Sequence, residues 1–546
     1  MIEFSSPLEA FLHWENTIPD HPFLIQAKEG ELITYTYRKA GLEIRKVASR
    51  LQEFGFPEKS HIALLSKNCA HWLMSDLAIT TAGMISIPIY PSLNAKTIRQ
   101  VLTHSESKAI IVGKLDDFSS KKEGIPDIPI IGVEAYGISE QDSWEKIIAA
   151  ETIGVDINYP KPKDLHTIIY TSGTTGTPKG VMHSTNNFMV SVQTLSKIIK
   201  LPKHPKMFSY LPLAHVAERL IWTFFLTLGA QIRFPDSIET FASDLEATQP
   251  HAFFAVPRIW TKFQENILKK IPQKKLSLLL KIPIINSLVK SKLQKKMGLK
   301  HANLILSGAA PIPKELLFWY KAIGVEILQI YGMTEDGCVS HFNLPNANKI
   351  GTVGKALPNV KIKISDEGEI CIKNDCLMLG YFKQPEITAS VFDEEGYFKT
   401  GDKGVYDSEG FMTITGRVKD EFKTDKGKYI SPAPIELDLA ENSNIDQVCI
   451  VGTGIPQPIA LVTVSDLGKS ASKDQLTKSL NDSINTINPQ LEKHEKIEKV
   501  IVINKQWTIE NNYLTPTLKL KRVLIENEYQ NKYSKWFKAE ETIIYL

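Results

Sequence analysis

Residues 170–181 read YTSGTTGTPKGV. The apolar run TIIY ends at Tyr170, and the loop that follows is built of glycine, serine and threonine and closed by Pro178-Lys179-Gly180. Glycine lets a backbone approach an anion closely, because no Cβ intervenes. Backbone N–H groups and the hydroxyls of Thr171, Ser172, Thr174, Thr175 and Thr177 supply donors, and Lys179 adds a positive point charge. Together these suit a polyphosphate. The spacing is not the G-x-x-x-x-G-K-[ST] pattern, because Gly173 and Gly176 are too close together and Lys179 is followed by Gly180. A tract of this composition is elsewhere a plain surface loop. The ordered set of residue types favours phosphate here.

Six further segments carry residues able to complete such a site. They are Leu211–Arg219 (LPLAHVAER), Ser307–Pro311 (SGAAP), Tyr331–Glu335 (YGMTE), Thr400–Asp402 (TGD), Gly416–Asp420 (GRVKD) and Thr515–Arg522 (TPTLKLKR). Tyr331 offers an aromatic face on which a base can stack. Glu335 is a hard oxygen ligand suited to Mg²⁺ bridging phosphates. Asp402, after a glycine, can accept hydrogen bonds from ribose hydroxyls, and Arg417 can donate to the same sugar. Each residue taken alone has a plainer reading: a core tyrosine, a first-turn carboxylate beside Thr334, a turn aspartate, a solvated linker charge.

Taken in order with the glycine-rich loop, these segments resemble the adenylate-forming superfamily of acyl-CoA synthetases, peptide-synthetase adenylation domains and firefly-type luciferases. The resemblance runs from about residue 30 to 525. LPLAH-x-x-ER, with VPRIW at Val256–Trp260, is most similar to the long-chain fatty-acyl branch, including its bubblegum-type members.

The resemblance implies an α/β fold. Its large N-terminal domain (1–416) has doubly wound α/β subdomains plus a small β-barrel. A hinge and linker (417–428) leads to a small mobile α+β C-terminal domain (429–546). It implies an ATP-dependent ligase that converts a fatty acid to acyl-AMP and pyrophosphate, then passes the acyl group to coenzyme A, with Mg²⁺ as the metal. Two alternatives stay open: loading of a carrier protein, and an aryl or shorter-chain acid.

By the same resemblance, the nucleotide contacts are Thr171, Ser172, Gly173, Thr174, Thr175, Gly176, Lys179, Gly308, Ala309, Ala310, Tyr331, Gly332, Thr334, Asp402, Arg417 and Lys519. The metal contacts are Glu335 and Thr174, and Lys419 is the hinge. Thr334, Glu335, Lys179 and Lys519 carry catalysis. Lys519 matches the family's cation, which offsets the repulsion between carboxylate and α-phosphate. Many relatives have Ser-Gly-Lys where this chain has Thr-Leu-Lys, and Lys521 would point the same way on an extended strand, so both lysines are candidates. His215 is either a substrate contact or a satisfied core histidine.

The surrounding pattern shows what must position these groups. Short apolar runs such as Ile62–Leu65, Ala109–Val112, Ile168–Tyr170, Phe253–Val256 and Asn303–Leu306 alternate with longer amphipathic stretches, which predicts parallel α/β layers. After Gly351 the runs Val360–Ile364, Gly368–Ile372 and Phe411–Ile414 predict a small antiparallel unit. Beyond Gly416, strand-like runs at Val448–Val451, Ala460–Val464 and Val500–Ile503, with a helical stretch at Lys473–Ile487, predict a compact terminal unit.

Composition excludes other classes. The 546 residues are 43% hydrophobic and 23% charged, with a net charge of +3, so no global basic field grips nucleic acid. Five cysteines without a C-x-x-C pair suggest neither zinc nor a disulfide framework and fit a reducing cytosol. The amino terminus has no secretory pattern and no apolar run reaches spanning length, so a cytoplasmic protein is expected, at most peripheral on an inner membrane face. Residues 269–300 hold ten lysines and no acidic residue, interleaved with leucine, isoleucine and valine. That segment reads either as a surface for anionic lipid or as a solvated helical insertion packed on the large domain.

Overall fold

The structure is a computed structural model that describes residues 2–151, 154–171, 178–515 and 518–546. Its largest sheet has eight strands. Five of them, Ile85–Ile89, His61–Leu65, Ala109–Val112, Ile130–Gly132 and Asp142–Ser143, lie parallel in that spatial order. Leu165–Thr171 adds parallel to Ile85–Ile89, then turns back antiparallel as Lys179–Ser184, and Gly380–Tyr381 closes that edge. The apolar runs are continuous because both sheet faces are covered. Ile62, Leu64 and Ile111 join the core under helices Tyr37–Glu53 and Ala70–Thr81, whereas Ala63, Leu65, Ile110 and Val112 pack on the other side with Ile98, Val101 and Leu102 of helix Ala95–Ser105.

A second sheet has Ala252–Ala255, Leu304–Ser307 and Leu328–Tyr331 in parallel, extended by two short antiparallel strands. A third joins Lys206–Phe208, Gln231–Phe234, Pro22–Lys28 and Glu31–Thr36. The expected unit after Gly351 is an antiparallel sheet of Lys361–Ile364, Glu369–Lys373, Phe398–Tyr406 and Met412–Arg417, closed around Ile370, Ile372 and Met412.

The terminal unit has its own sheet, in the order Ile445–Val451, Ile459–Val464, Lys499–Ile503, Ile543–Tyr545. Val448, Ile450, Val500 and Val502 face helices Pro432–Leu439 and Lys473–Ile487, while Cys449, Val451, Ile501 and Ile503 face Trp507, Ile525 and Trp536. The helix read over Lys473–Ile487 has those bounds, with Ser472 and Gln475 capping its first turn reciprocally.

The apolar run near Leu220 is core, as its composition requires. It lies in helix Val216–Thr227, which is buried almost throughout. Arg219 of that helix reaches Asp76 of helix Ala70–Thr81 at 3.0 Å, both side chains at most 2% exposed, and its guanidinium lies 5.4 Å from the Trp72 ring centroid. Removing one partner leaves a charge without water or counter-ion, which costs about 3–5 kcal/mol. Asp76→Ala should therefore lower the unfolding free energy by about that amount, read as a lower urea midpoint with an unchanged slope.

Candidate active site

The two ends of the glycine-rich loop are neighbours by β-pairing, since Thr171 lies across from Lys179 on adjacent antiparallel strands. The strands that flank the loop are thus antiparallel neighbours in the large sheet. Ser172, Gly173, Thr174, Thr175, Gly176 and Thr177 lie outside the described residues, as do Pro516 and Thr517 of the tail motif. Lys179 itself is half-buried, with its ammonium 5.0 Å from the centroid of the Tyr381 ring. The Tyr381 hydroxyl donates to Glu335 Oε1 at 2.9 Å. Tyr381 thus spans from the loop lysine to the candidate metal-binding carboxylate.

The Thr334–Asp336 turn that presents Glu335 is held from three sides. His183 Nε2 donates to the Thr334 carbonyl at 2.8 Å, the backbone N–H of Met378 donates to the Glu335 carbonyl at 2.8 Å, and Asp336 Oδ1 accepts from Met333 N and Cys338 N at 2.8 Å each. Burial pushes the Asp336 carboxyl up to about 7, against those two hydrogen bonds. Gly332 is dictated by the same turn, because a Cβ there would sit 2.6 Å from the Cys338 carbonyl carbon. In the SGAAP segment a Cβ at Gly308 would meet Ile330 at 2.8 Å, Ala309 has φ +68°, and Ala310 is exposed.

Asp402 joins two sheets. Its Oδ2 accepts from the Tyr331 hydroxyl at 2.9 Å and its Oδ1 from Arg417 Nε at 2.7 Å. Asp402 and Arg417 are cross-strand partners, so Asp402 sits inside a strand beside a bulge, not in the turn its sequence context suggested. Each oxygen keeps a lone pair for a further donor.

Lys519 comes from the terminal unit, at the base of a turn in which Thr515 N–H donates to the Lys519 carbonyl at 2.8 Å. Its residue surface is exposed, yet protein surrounds its ammonium. That crowding is the largest influence and lowers its proton affinity; Arg417 adds to the lowering, and Asp402, Cys338 and Glu335 oppose it. Lys519 also acts on His215, whose imidazole burial holds down at about 4. His215 caps helix Val216–Thr227: its Nδ1 accepts from Ala217 N at 3.1 Å, which leaves the neutral ring's proton on Nε2. Lys521 does not share this position. The chain turns into helix Arg522–Tyr529 there, and the Lys521 ammonium bonds to Asn512 Oδ1. Lys419 is exposed in a short 3-10 turn between the antiparallel sheet and the terminal unit. Arg258–Asp446 at 3.1 Å and Lys262–Asp466 at 3.5 Å tie the terminal unit to helix Pro257–Lys270 in this arrangement.

With Lys179 and Glu335 linked through Tyr381, and the tail lysine Lys519 within electrostatic reach of Glu335, Asp402 and Arg417, the comparisons with known proteins agree on a class. The AMP-binding enzyme family matches residues 11–382 and the AMP-binding enzyme C-terminal domain matches residues 420–541. The chain belongs to the AMP-binding enzyme family. It is 27% identical to fatty acyl-CoA synthetase A of Dictyostelium discoideum, over 93% of this chain and 86% of that protein. It is 26% identical to the long-chain-fatty-acid–CoA ligase ACSBG2 of Xenopus laevis, over 98% and 84%. Among solved structures it shares its fold with the adenylation domain of a carboxylate reductase from Mycobacterium chelonae (TM-score 0.81, 21% identity, 98% and 91% covered). A carboxylic acid reductase domain from Segniliparus rugosus, in complex with AMP and a co-purified carboxylic acid, is similarly related (TM-score 0.79, 21% identity, 97% and 94% covered).

Sequence reasoning missed Tyr381, Asp336 and His183, which support the site through contacts between distant segments; only the Gly380-Tyr381 pair after an apolar stretch hinted at a strand edge. It also missed Glu218, three residues beyond His215. Glu218 is buried, accepts from Ser209 Oγ at 2.6 Å, and is pushed up to about 8 by burial. The folded state therefore holds a proton that the unfolded chain releases near the ordinary glutamate pKa, so this residue's contribution makes stability fall as pH rises from about 4.5 to 8. Glu218→Gln should remove up to about 1.4 kcal/mol per pH unit of that fall, measured as denaturant stability of both proteins at pH 5 and pH 8.

Proposed function

We propose that this protein activates a fatty acid, of the long-chain class, in two half-reactions at the cleft around Lys519. In the first, a carboxylate oxygen attacks the α-phosphorus of ATP, the bond to the β-phosphate oxygen breaks, and pyrophosphate leaves with the electron pair. In the second, the coenzyme A sulfur attacks the acyl carbonyl, the bond to AMP breaks, and the thiol proton is lost to solvent. The observation that carries this reading is Lys519 of the terminal unit within electrostatic reach of Asp402 and Arg417 of one antiparallel sheet, Glu335 of a short turn and His215 at the start of a helix. The curated relatives named above for fatty acyl-CoA synthesis support the substrate class.

The residues divide the work by charge. Lys179 and the loop it closes bind the departing pyrophosphate. Asp402 and Arg417 hold the ribose, and Tyr331, fixed by its bond to Asp402, holds its ring against the base beside Gly308, Ala309 and Ala310. Lys519 lies between two anions that repel each other and stabilises the charge that develops at phosphorus. Without substrate, crowding and Arg417 outweigh the nearby acids and lower its proton affinity. The incoming polyphosphate reverses that balance and keeps the ammonium charged where it is needed. Neutral His215 offers Nε2–H to the substrate carboxylate.

Mg²⁺ fits this donor set. Glu335 spends one oxygen on Tyr381 and keeps another, and one carboxylate plus substrate phosphates is the usual Mg²⁺ environment. Glu335, with Thr174, would hold it, and when bound it neutralises phosphate charge. The described residues contain no cluster of three or more acidic, histidine or cysteine side chains that would make a separate cage.

Two half-reactions need different surroundings at one carbon. We take residues 1–416 as the adenylating body, 417–428 as the hinge around Lys419, and 429–546 as the unit that rotates. Withdrawal of Lys519 then lets the loop Lys426–Tyr429, with Tyr429 exposed, form the thiol passage.

Pyrophosphate release with a panel of acids of increasing chain length, with and without coenzyme A, tests the function. Long-chain acids should give thioester with coenzyme A; turnover with a holo-carrier protein alone, or only with aryl acids, would replace this reading. Lys519→Ala should slow adenylation about 100- to 1000-fold while thioester formation from supplied acyl-AMP changes little, and equal loss in both halves would refute its role. Tyr381→Phe, which removes a hydrogen bond to a charged group, should raise the KM for MgATP about tenfold with the fold intact.

A further inference from the structure

We infer that the helical hairpin of residues 273–296 is a docking surface for an anionic lipid bilayer. Helices Gln273–Lys281 and Pro283–Lys296 meet at Ile282 with no loop between them, and their two sides differ. The inward side is anchored: Leu276, Leu293 and Met297 are buried in the second core with Trp260 and Tyr320, and Leu280 and Val289 pack against it. The tip is apolar and open to solvent, with Leu278 62%, Ile282 42%, Ile284 79% and Leu288 67% exposed. Four exposed large aliphatic side chains within the eleven residues 278–288, on both sides of the bend, go beyond the scattered apolar residues of an ordinary surface.

The charges around that tip identify its occupant. On the first helix Lys274, Lys275 and Lys281 lie three or four residues from Leu278, and on the second Lys292 follows Leu288 by four, so each shares a helix side with the apolar tip. Of the ten lysines between 269 and 300, only Lys269 and Lys296 form ion pairs among the described residues, with Asp466 and Glu246. No acidic residue occurs in the whole segment. An apolar partner protein would not need this cationic collar. A bilayer with acidic headgroups meets both parts, since the aliphatic tip enters the acyl boundary while the lysines stay at the phosphates. No helix of the described residues is long and apolar enough to cross a membrane, so contact through this hairpin is peripheral.

The inference is independent of the acid that the enzyme activates, and its test needs no turnover. The full chain is floated with vesicles of phosphatidylcholine alone or with 30% phosphatidylglycerol. The wild-type protein should float with the anionic vesicles, at least tenfold less with phosphatidylcholine alone, and at least tenfold less when salt is raised from about 0.1 to 0.5 M, where screening is nearly complete. Ile284→Ser/Leu288→Ser, and separately Lys274→Gln/Lys275→Gln/Lys281→Gln/Lys292→Gln, should each cut flotation at least tenfold. Their melting curves and their pyrophosphate release with a water-soluble acid should be unchanged. Absence of the wild-type protein from the anionic-vesicle fraction, equal flotation with neutral lipid, or undiminished flotation of either variant would overturn the inference. So would sedimentation showing a dimer that the serine variant abolishes, without flotation, since the tip would then be covered by a second copy. Loss of pyrophosphate release in the wild-type protein would bear on the proposed function and leave the flotation result standing.

Discussion

A single carboxylate, Asp402, ties the cleft together. One oxygen is bonded to a tyrosine from the end of a parallel strand, the other to an arginine from the neighbouring antiparallel strand, and its charge reaches the lysine of the terminal unit. A carboxylate that is mostly withdrawn from water needs such donors, and the pairing of the strands places them within its reach. Arg417 keeps nearly half its side-chain surface exposed, so its bond to Asp402 adds modestly to stability. Its larger effect is on geometry, because it fixes the direction in which Asp402 presents its remaining lone pairs.

The second constraint is electrostatic crowding. The cleft gathers Lys179, Arg417 and Lys519 against Glu335, Asp336 and Asp402. With no substrate Arg417 and Lys519 repel each other, and Asp336 answers its buried setting by holding its proton near neutrality. In the proposed reaction a polyphosphate supplies negative charge to this arrangement. The supports of the turn around Glu335, namely His183, Asp336 and Tyr381, are placed before substrate arrives, so little reorganisation remains for the reaction itself. The salt links from Arg258 and Lys262 to Asp446 and Asp466 are surface contacts of the kind that can exchange, which is compatible with the proposed rotation of the terminal unit.

The layered architecture was largely legible in the chain. Apolar runs of only three to five residues are too short for buried helices and read as covered strands, and their predicted spans differ from those observed by about three residues at most, as with Ile168–Tyr170 within Leu165–Thr171. The helix at Lys473–Ile487 was readable to the residue because a reciprocal cap marks its start and its apolar positions recur every three or four residues. The direction of Lys521 was not, since period-two reasoning holds only while a strand continues, and the chain enters a helix at that residue. The LPLAHVAER segment shows the same division: its motif could be read from neighbouring residues, but nothing in it showed that Arg219 would be neutralised by Asp76 or that Glu218 would be left to keep its proton.

By itself the sequence determined which chemical groups are present and in what order: a glycine- and threonine-rich loop with a lysine at its end, a Tyr-Gly-Met-Thr-Glu turn, an aspartate and an arginine fifteen residues apart, and a lysine near the carboxyl end. Local composition and spacing are enough for that, because loop chemistry and strand periodicity are properties of neighbouring residues. Only the tertiary structure decided which groups meet. Tyr381 lies some two hundred residues from Lys179 and forty-six from Glu335, and it touches both because a two-residue strand adds to the edge of the large sheet. Contacts of that span leave no periodic trace in a single chain, and proton affinities shifted by burial leave none either, since desolvation depends on what the rest of the fold places around a side chain.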